Sequence, residues 1–275
     1  MYADREVFPN SPLALVTTEV RLTDTPRLRQ QETLDNVAIA LEGRFPISKP
    51  LTSTNVTFNV GNVAPGVAPQ PQVEQERQLL LTNKAKTESV LLTPSSFVCE
   101  TTAYREFDDF RANVAAVCNA LVNANVRSGL VRVGIRYIDE VRVPDPIQDA
   151  RGWGKWISSC VLGPLAVGPD DVTVTNAQGL VTFDLGDGMG LNFQHAALNQ
   201  APIVQPQFLN RRKFDPGPFF VLDFDGFRDF GGQDAVLLDS HEVTDVLTAV
   251  NDPLGAAFQN AITDEARKLF RGETA

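Results

Sequence analysis

The stretch SGLVRVGIRYIDEVRVP, Ser128 to Pro144, is the most regular strand pattern in the chain. Val131, Val133, Ile135 and Tyr137 fall on one side of it, and Arg132, Arg136, Glu140 and Arg142 on the other. A period of two with one apolar and one charged face describes a strand that lies against a core on one side and carries a charge ladder on the other. Strands of a parallel sheet are covered on both faces and read as continuous apolar runs, so this pattern points to antiparallel sheet.

The neighbouring segments agree. Arg105 to Asn125 spaces Phe107, Phe110, Val114, Val117 and Leu121 as one helical stripe, with Asp108 and Asp109 in the first turn, where the helix dipole favours acids. Glu76 to Tyr104 reads as two or three antiparallel strands, with turns at Thr82-Asn83-Lys84 and Thr93-Pro94-Ser95. Leu13 to Thr23 alternates Val16, Thr18, Val20 and Leu22 against Thr17, Glu19 and Arg21. Asp24-Thr25-Pro26 then offers a cap and first-turn proline for a helix carrying Leu34, Val37, Ala38, Leu41 and Phe45. Ile47 to Val73, rich in Ser, Thr, Asn, Gly and Pro, is expected to be a long surface excursion with a short strand-like piece at Val56 to Val60.

After Asp145 to Lys155, a polar connector, strand-like pieces are expected at Ile157 to Val167 and Asp171 to Thr175. A hairpin follows, LVTFDL and MGLNFQH around Gly186-Asp187-Gly188. Asn199 to Pro218 is a second long link, carrying the basic spot Arg211-Arg212-Lys213. In FFVLDFDGF, Phe220, Leu222 and Phe224 alternate with Val221, Asp223 and Asp225. The end is helical: Asp239 and Glu242 make a capping box, and Pro253 is expected to kink or restart the helix before Gly272. Helices do not alternate with single strands. The expected class is therefore α+β, mainly antiparallel with helices packed on one face, in two similar strand-helix halves, 1–144 and 145–275.

The chain has 275 residues, 24 Lys and Arg against 34 Asp and Glu, and 43% hydrophobic residues. A formal charge of −10 speaks against nucleic acid as the main partner, because phosphate recognition depends on clustered cations. Charges at Asp4, Arg5 and Glu6 precede any apolar run, and no stretch of about 18 uncharged apolar residues occurs, so neither a secretion signal nor a spanning helix is expected. Cys99, Cys118 and Cys160 lack CxxC spacing, and only two His accompany them. Three reduced, mostly buried thiols in a cytoplasmic protein are expected, with no cofactor and no metal.

Catalytic patterns fail their own tests. FFVLDFDGF resembles the nucleophile strand of haloacid-dehalogenase-type phosphatases, which would make Asp223 the nucleophile and Asp225 the acid/base. Yet Phe227 stands where that family has Thr or Ser, and too little sequence follows for the rest of its sheet and its second acidic pair. An EF-hand fails because Val221 and Gly232 occupy the first and last ligand positions. GxSxG is absent, and the Gly186-Gly188-Gly190 string sits in a hairpin without opening a helix. His195 and His241 are expected to be structural. Asp223, Asp225, Asp229 and His241 could converge on a hard cation, which keeps a metal-dependent hydrolase as the alternative.

Three blocks carry a family resemblance: SPLALVTTEVRL, Ser11 to Leu22, with a Pro-Leu pair before a Glu-Val-Arg strand; TTAYREFDDFRANVAAVCNAL followed by RVGIRYIDEVRVP, with its Ile-Arg-Tyr-Ile motif; and LDFDGF with AAFQNAITDEA in the terminal helix. Together, over essentially the whole chain, they resemble a sporadically distributed, functionally uncharacterised bacterial family. The resemblance implies an intracellular bacterial protein with a shared fold, in a family type often found with mobile or defence loci. It brings no activity and no site residues. The chain is longer than that family's usual pattern between Ile47 and Val73.

The expected function is thus non-catalytic, acting through a protein partner, a ligand or a homo-oligomer, with no membrane partner and no catalytic residue. The candidate binding residues are Glu19, Arg21, Arg132, Arg136, Asp223 and Asp225, the non-core positions of three strands, with the arginines as forks for an anion or carboxylate. A component of a structural assembly is the second alternative.

Overall fold

The computed structural model describes residues 6–58, 71–199, 207–212, 216–231 and 235–273. In chain order the elements are β1 (Leu13–Leu22), α1 (Gln31–Leu41), β2 (Ile47–Phe58), β3 (Pro71–Thr82), β4 (Glu88–Thr93), β5 (Ser96–Thr101), α2 (Phe107–Asn123), β6 (Leu130–Val141), α3 (Ser159–Leu162), β7 (Ala177–Gly186), β8 (Met189–Leu198), β9 (Phe219–Asp229), α4 (Ser240–Ala261) and α5 (Asp264–Arg271). The fold is α+β. Among the described residues nine strands form one sheet of order β2-β3-β4-β5-β1-β6-β9-β8-β7 in which every neighbouring pair is antiparallel.

The order contains a repeated rhythm. β1 and β6 lie side by side at the centre. Each is followed by helical turns, then by a meander that runs inward to its other edge, ending at β5 for β1 and at β9 for β6, and then by a helix, α2 or α4. The expected halves, 1–144 and 145–275, both contribute strands to this one sheet and meet at the β6–β9 pairing, whereas the repeated rhythm divides the strands before β6, at the β1–β6 pairing, where Thr18 stands opposite Ile135 and Val20 opposite Val133.

Strand alternation decides which side is covered. Val16 and Val20, Val133 and Ile135, Leu222 and Phe224, and Phe97 and Cys99 join α1, α2 and α4 in one large core. Trp153, Trp156 and Phe270 belong to that same core, so the 3-10 turn at Ala150–Lys155 and α5 lie on the helix side as well. The opposite face carries a smaller apolar cluster at one end, Ala14, Leu15, Ile138, Phe219 and Val221. An extra residue at Ala14, a bulge against Asp139 and Ile138, turns Leu15 to that face.

Several expectations change. Ile47–Phe58, expected within a surface excursion, is a strand paired along β3 with Ile47 opposite Thr82, and the strand expected from Glu76 begins already at Pro71. The polar alternation belongs to an edge strand, which also accounts for Pro50, since proline cannot donate to a ladder. Residues 59–70, with part of the expected piece at 56–60, lie outside the described residues. Pro26 opens only a 3-10 turn, Pro26–Arg29; Thr25 gives no side-chain cap there, and α1 begins at Gln31. Ile157–Val167 is not strand: only Ile157 bridges, to Ile262, before α3 and a 3-10 turn at Gly163–Val167. Asp171–Thr175 is irregular. Asp239 caps α4 through the amides of His241 and Glu242 as expected. The helix runs through Pro253, however, and breaks at Ile262, where Thr263 caps α5.

Candidate functional site

The face of the sheet that no described helix covers gathers all six candidate residues. Glu19 and Arg21 come from β1, Arg132 and Arg136 from β6, and Asp223 and Asp225 from β9, all at positions alternating with core residues. They form ion pairs with one another. Arg136 grips Asp223 through Nε to Oδ1 at 2.7 Å and Nη2 to Oδ2 at 2.5 Å. Arg132 reaches Asp225 at 3.2 Å and Asp229 at 3.3 Å, with its guanidinium 3.7 Å above the Phe227 ring. Arg21 holds Glu19 at 2.9 Å.

Register explains the choice of partners. Arg136 is directly opposite Asp225, yet it takes the diagonal Asp223, which leaves Asp225 for Arg132. Arg21 and Arg132 are directly opposite like charges, and each is neutralised by its own carboxylate. The hydrogen bond from Arg21 to Glu19 and the nearby charges of Asp229 and Asp225 raise the Arg21 pKa; the bond to Asp223 does the same for Arg136.

This is not a uniformly solvated ladder. The Asp223 side chain is 8% exposed against 43% for Arg136, so a buried carboxylate holds a half-exposed guanidinium in a fixed orientation. Arg136 spends Nε and Nη2 on that carboxylate, and among the described residues nothing engages Nη1. Glu140 is fully buried. Arg211 clamps both of its oxygens at 3.0 and 2.9 Å, and Arg142 approaches at 3.5 Å while lying 4.6 Å over the Phe219 ring. The expected basic spot is therefore not free: Arg211 is part of this clamp, and Lys213 lies outside the described residues.

Sequence reasoning did not find Asn192, which donates to Asp225 at 3.2 Å and accepts from Thr182 at 2.9 Å. Only the pairing of β7, β8 and β9 brings these together, and no local pattern announces it. Glu100, beside Thr17 on this face, has its pKa raised by burial and partly restored by a hydrogen bond from Ser89.

The hydrolase alternative needs Asp223, Asp225 and Asp229 to converge on a cation. All three lie on this face but are directed at Arg136 and Arg132, and His241 sits in the first turn of α4. Among the described residues no group of three His, Cys, Asp or Glu could hold a metal. His195 is on the core side, stacked between Phe193 and Phe220, and burial lowers its pKa. Cys99 and Cys118 are buried and their thiols pushed up, Cys118 to about 12, whereas Cys160 is exposed. Two clefts, one of ≈ 240 Å³ between α1 and α2 and one of ≈ 430 Å³ beside the β7–β8 turn, contain no His or Cys. No helix among the described residues is long and apolar enough to cross a membrane. No protein-family model, no curated protein and no solved structure matches this chain.

Proposed function

We propose that this chain is a non-catalytic binding protein that receives a partner on the face of its sheet that no described helix covers. The observation that supports it is the Arg136–Asp223 pair. A buried carboxylate fixes the guanidinium plane and leaves one terminal nitrogen open on an exposed surface, an arrangement suited to a carboxylate or backbone carbonyl of a partner segment. Because Arg132, Arg21, Glu19, Asp225 and Asn192 are already mutually paired, they give the surroundings polar shape and register more than net attraction. That this role is played in the bacterial cytoplasm, in a mobile or defence-associated locus, rests on the family resemblance alone.

The test is site-specific photo-crosslinking in the native host, with the photoreactive residue at Thr17 or Glu19 on the open face and at Ile39 on exposed α1 as the comparison. Adducts from the open-face positions that disappear with Arg136→Ala are expected. Adducts only from Ile39, or open-face adducts indifferent to Arg136→Ala, would falsify the reading. Adding Mg²⁺ or Mn²⁺ during thermal unfolding tests the hydrolase alternative: that reading requires stabilisation of the wild type that Asp225→Asn loses.

A further inference from the structure

The two edges of the sheet are built differently. β2 carries Pro50 and Lys49, residues that blunt an edge against pairing with another chain. At the other edge, β7 runs for ten residues, AQGLVTFDLG, with no Pro, no Lys or Arg, and Asp184 as its one charge. Among the described residues only β8 pairs with it, and Leu180, Val181, Phe183 and Leu185 are 62%, 44%, 47% and 36% exposed. Val181 and Phe183 share the helix side of the sheet, opposite Phe193 and buried Leu191, so the exposed apolar row continues the core outward, and Leu185 is the extra residue of a bulge before Gly186. A long unprotected apolar edge is a template for strand addition.

We propose that β7 pairs antiparallel with β7 of a second copy of this chain, so that the two sheets become one across a two-fold axis at Phe183. The strand's own sequence argues for a second copy. Opposite residues in an antiparallel pair share a face, so a two-fold at Phe183 sets Phe183 against Phe183 and brings Val181 alongside the bulged Leu185, twice. On the other face, each Asp184 lies opposite Thr182 and the two Asp184 carboxylates are kept apart. Moving the axis one residue to Thr182 would set Leu180 against Asp184. This surface is separate from the Arg136 face, and the proposal stands without that binding role.

Light scattering after size exclusion should give twice the chain's 30.0 kDa for the wild type and the single-chain mass for Phe183→Lys, with an unchanged far-ultraviolet spectrum. In a Cys160→Ser background, Phe183→Cys lies on the axis and should oxidise to a linked dimer, while Val181→Cys lies alongside the bulged Leu185 and should not. A wild type that stays single-chain at its highest soluble concentration overturns the proposal, as does a dimer that survives Phe183→Lys in the folded state. If Phe183→Lys does not fold, the two cysteine variants decide: equal linkage from both, or none from Phe183→Cys, refutes the register.

Discussion

Replacing Arg211 by Met should destabilise the protein far more than a surface substitution does. Arg211 reaches Glu140 from 71 residues away in sequence and binds both carboxylate oxygens, and the Glu140 side chain has no exposure to solvent. Met fills similar volume without charge, so the main effect is a buried carboxylate that loses its bidentate partner. Removing one member of a buried pair costs about 3–5 kcal/mol. Arg142 remains 3.5 Å from the same oxygen and offsets part of that, which leaves about 2–4 kcal/mol. At about 2–3 °C per kcal/mol for a chain of this size, the midpoint should fall by about 5–10 °C. Trp153 and Trp156 are both buried, so tryptophan fluorescence during urea unfolding reports the loss directly. Glu140→Gln combined with Arg211→Met should recover more than half of it, because a neutral amide needs no counter-ion and can still hydrogen-bond Arg142. A loss below about 0.5 kcal/mol for Arg211→Met, in the range of ordinary surface changes, would refute the reasoning. So would a double variant no more stable than the single one.

Three other outcomes are expected. Gly226→Ala should cost about 1–3 kcal/mol in urea unfolding, because its Cβ would stand 2.8 Å from Leu254 Cδ1 and 3.2 Å from Val250 Cβ on α4; Gly134→Ala, with nothing nearer than 3.5 Å, should be almost neutral. Asp139 is buried on the core side and its pKa is raised well above the usual carboxylate range, by burial first and by Asp223 second. The folded state therefore binds its proton more tightly than the unfolded chain does, and its contribution to stability falls as pH rises from the unfolded pKa to the folded one. Asp139→Asn should match the wild type near pH 4 and be more stable at pH 7, and a constant difference across that range would refute this. A thiol reagent should modify one of the three cysteines, Cys160, in the folded protein and all three in urea, because Cys99 and Cys118 are buried with raised pKa values.

The parts of the fold legible in the sequence are those where alternation is strong. β6 and β9 each carry one apolar face and one charged face, and the α2 stripe has five apolar residues in helical register, so their neighbours and the α+β class follow. β2 was hidden because an edge strand buries little and can hold Ser, Thr, Asn and Pro, a composition shared with loops. Ile157 to Val167 misled in the opposite direction: a short apolar run fits a strand or a buried turn equally, and here the contacts of Ile157 with Ile262 and of Ser158 with Ala261 decide. At the site, the shared face of Glu19, Arg21, Arg132, Arg136, Asp223 and Asp225 was legible because it follows from period two. The pairing of Arg136 with Asp223, and the Glu140–Arg211 clamp, depend on register between distant strands, which no local pattern encodes.

The central place of β1 has a consequence for synthesis. Among the described strands it is made before the others, yet Thr18 finds its neighbours in Cys99 and Ile135, far later in the chain. Once β5 has emerged, the first half can close one side of β1. The other side, with Val16 and Val20 beside it, stays open until β6 leaves the ribosome. During that interval the nascent chain presents a bare apolar strand edge at what will become the middle of the molecule. Slow translation between Thr101 and Leu130 would prolong that exposure, so the yield of folded protein should respond to the speed at which α2 is made.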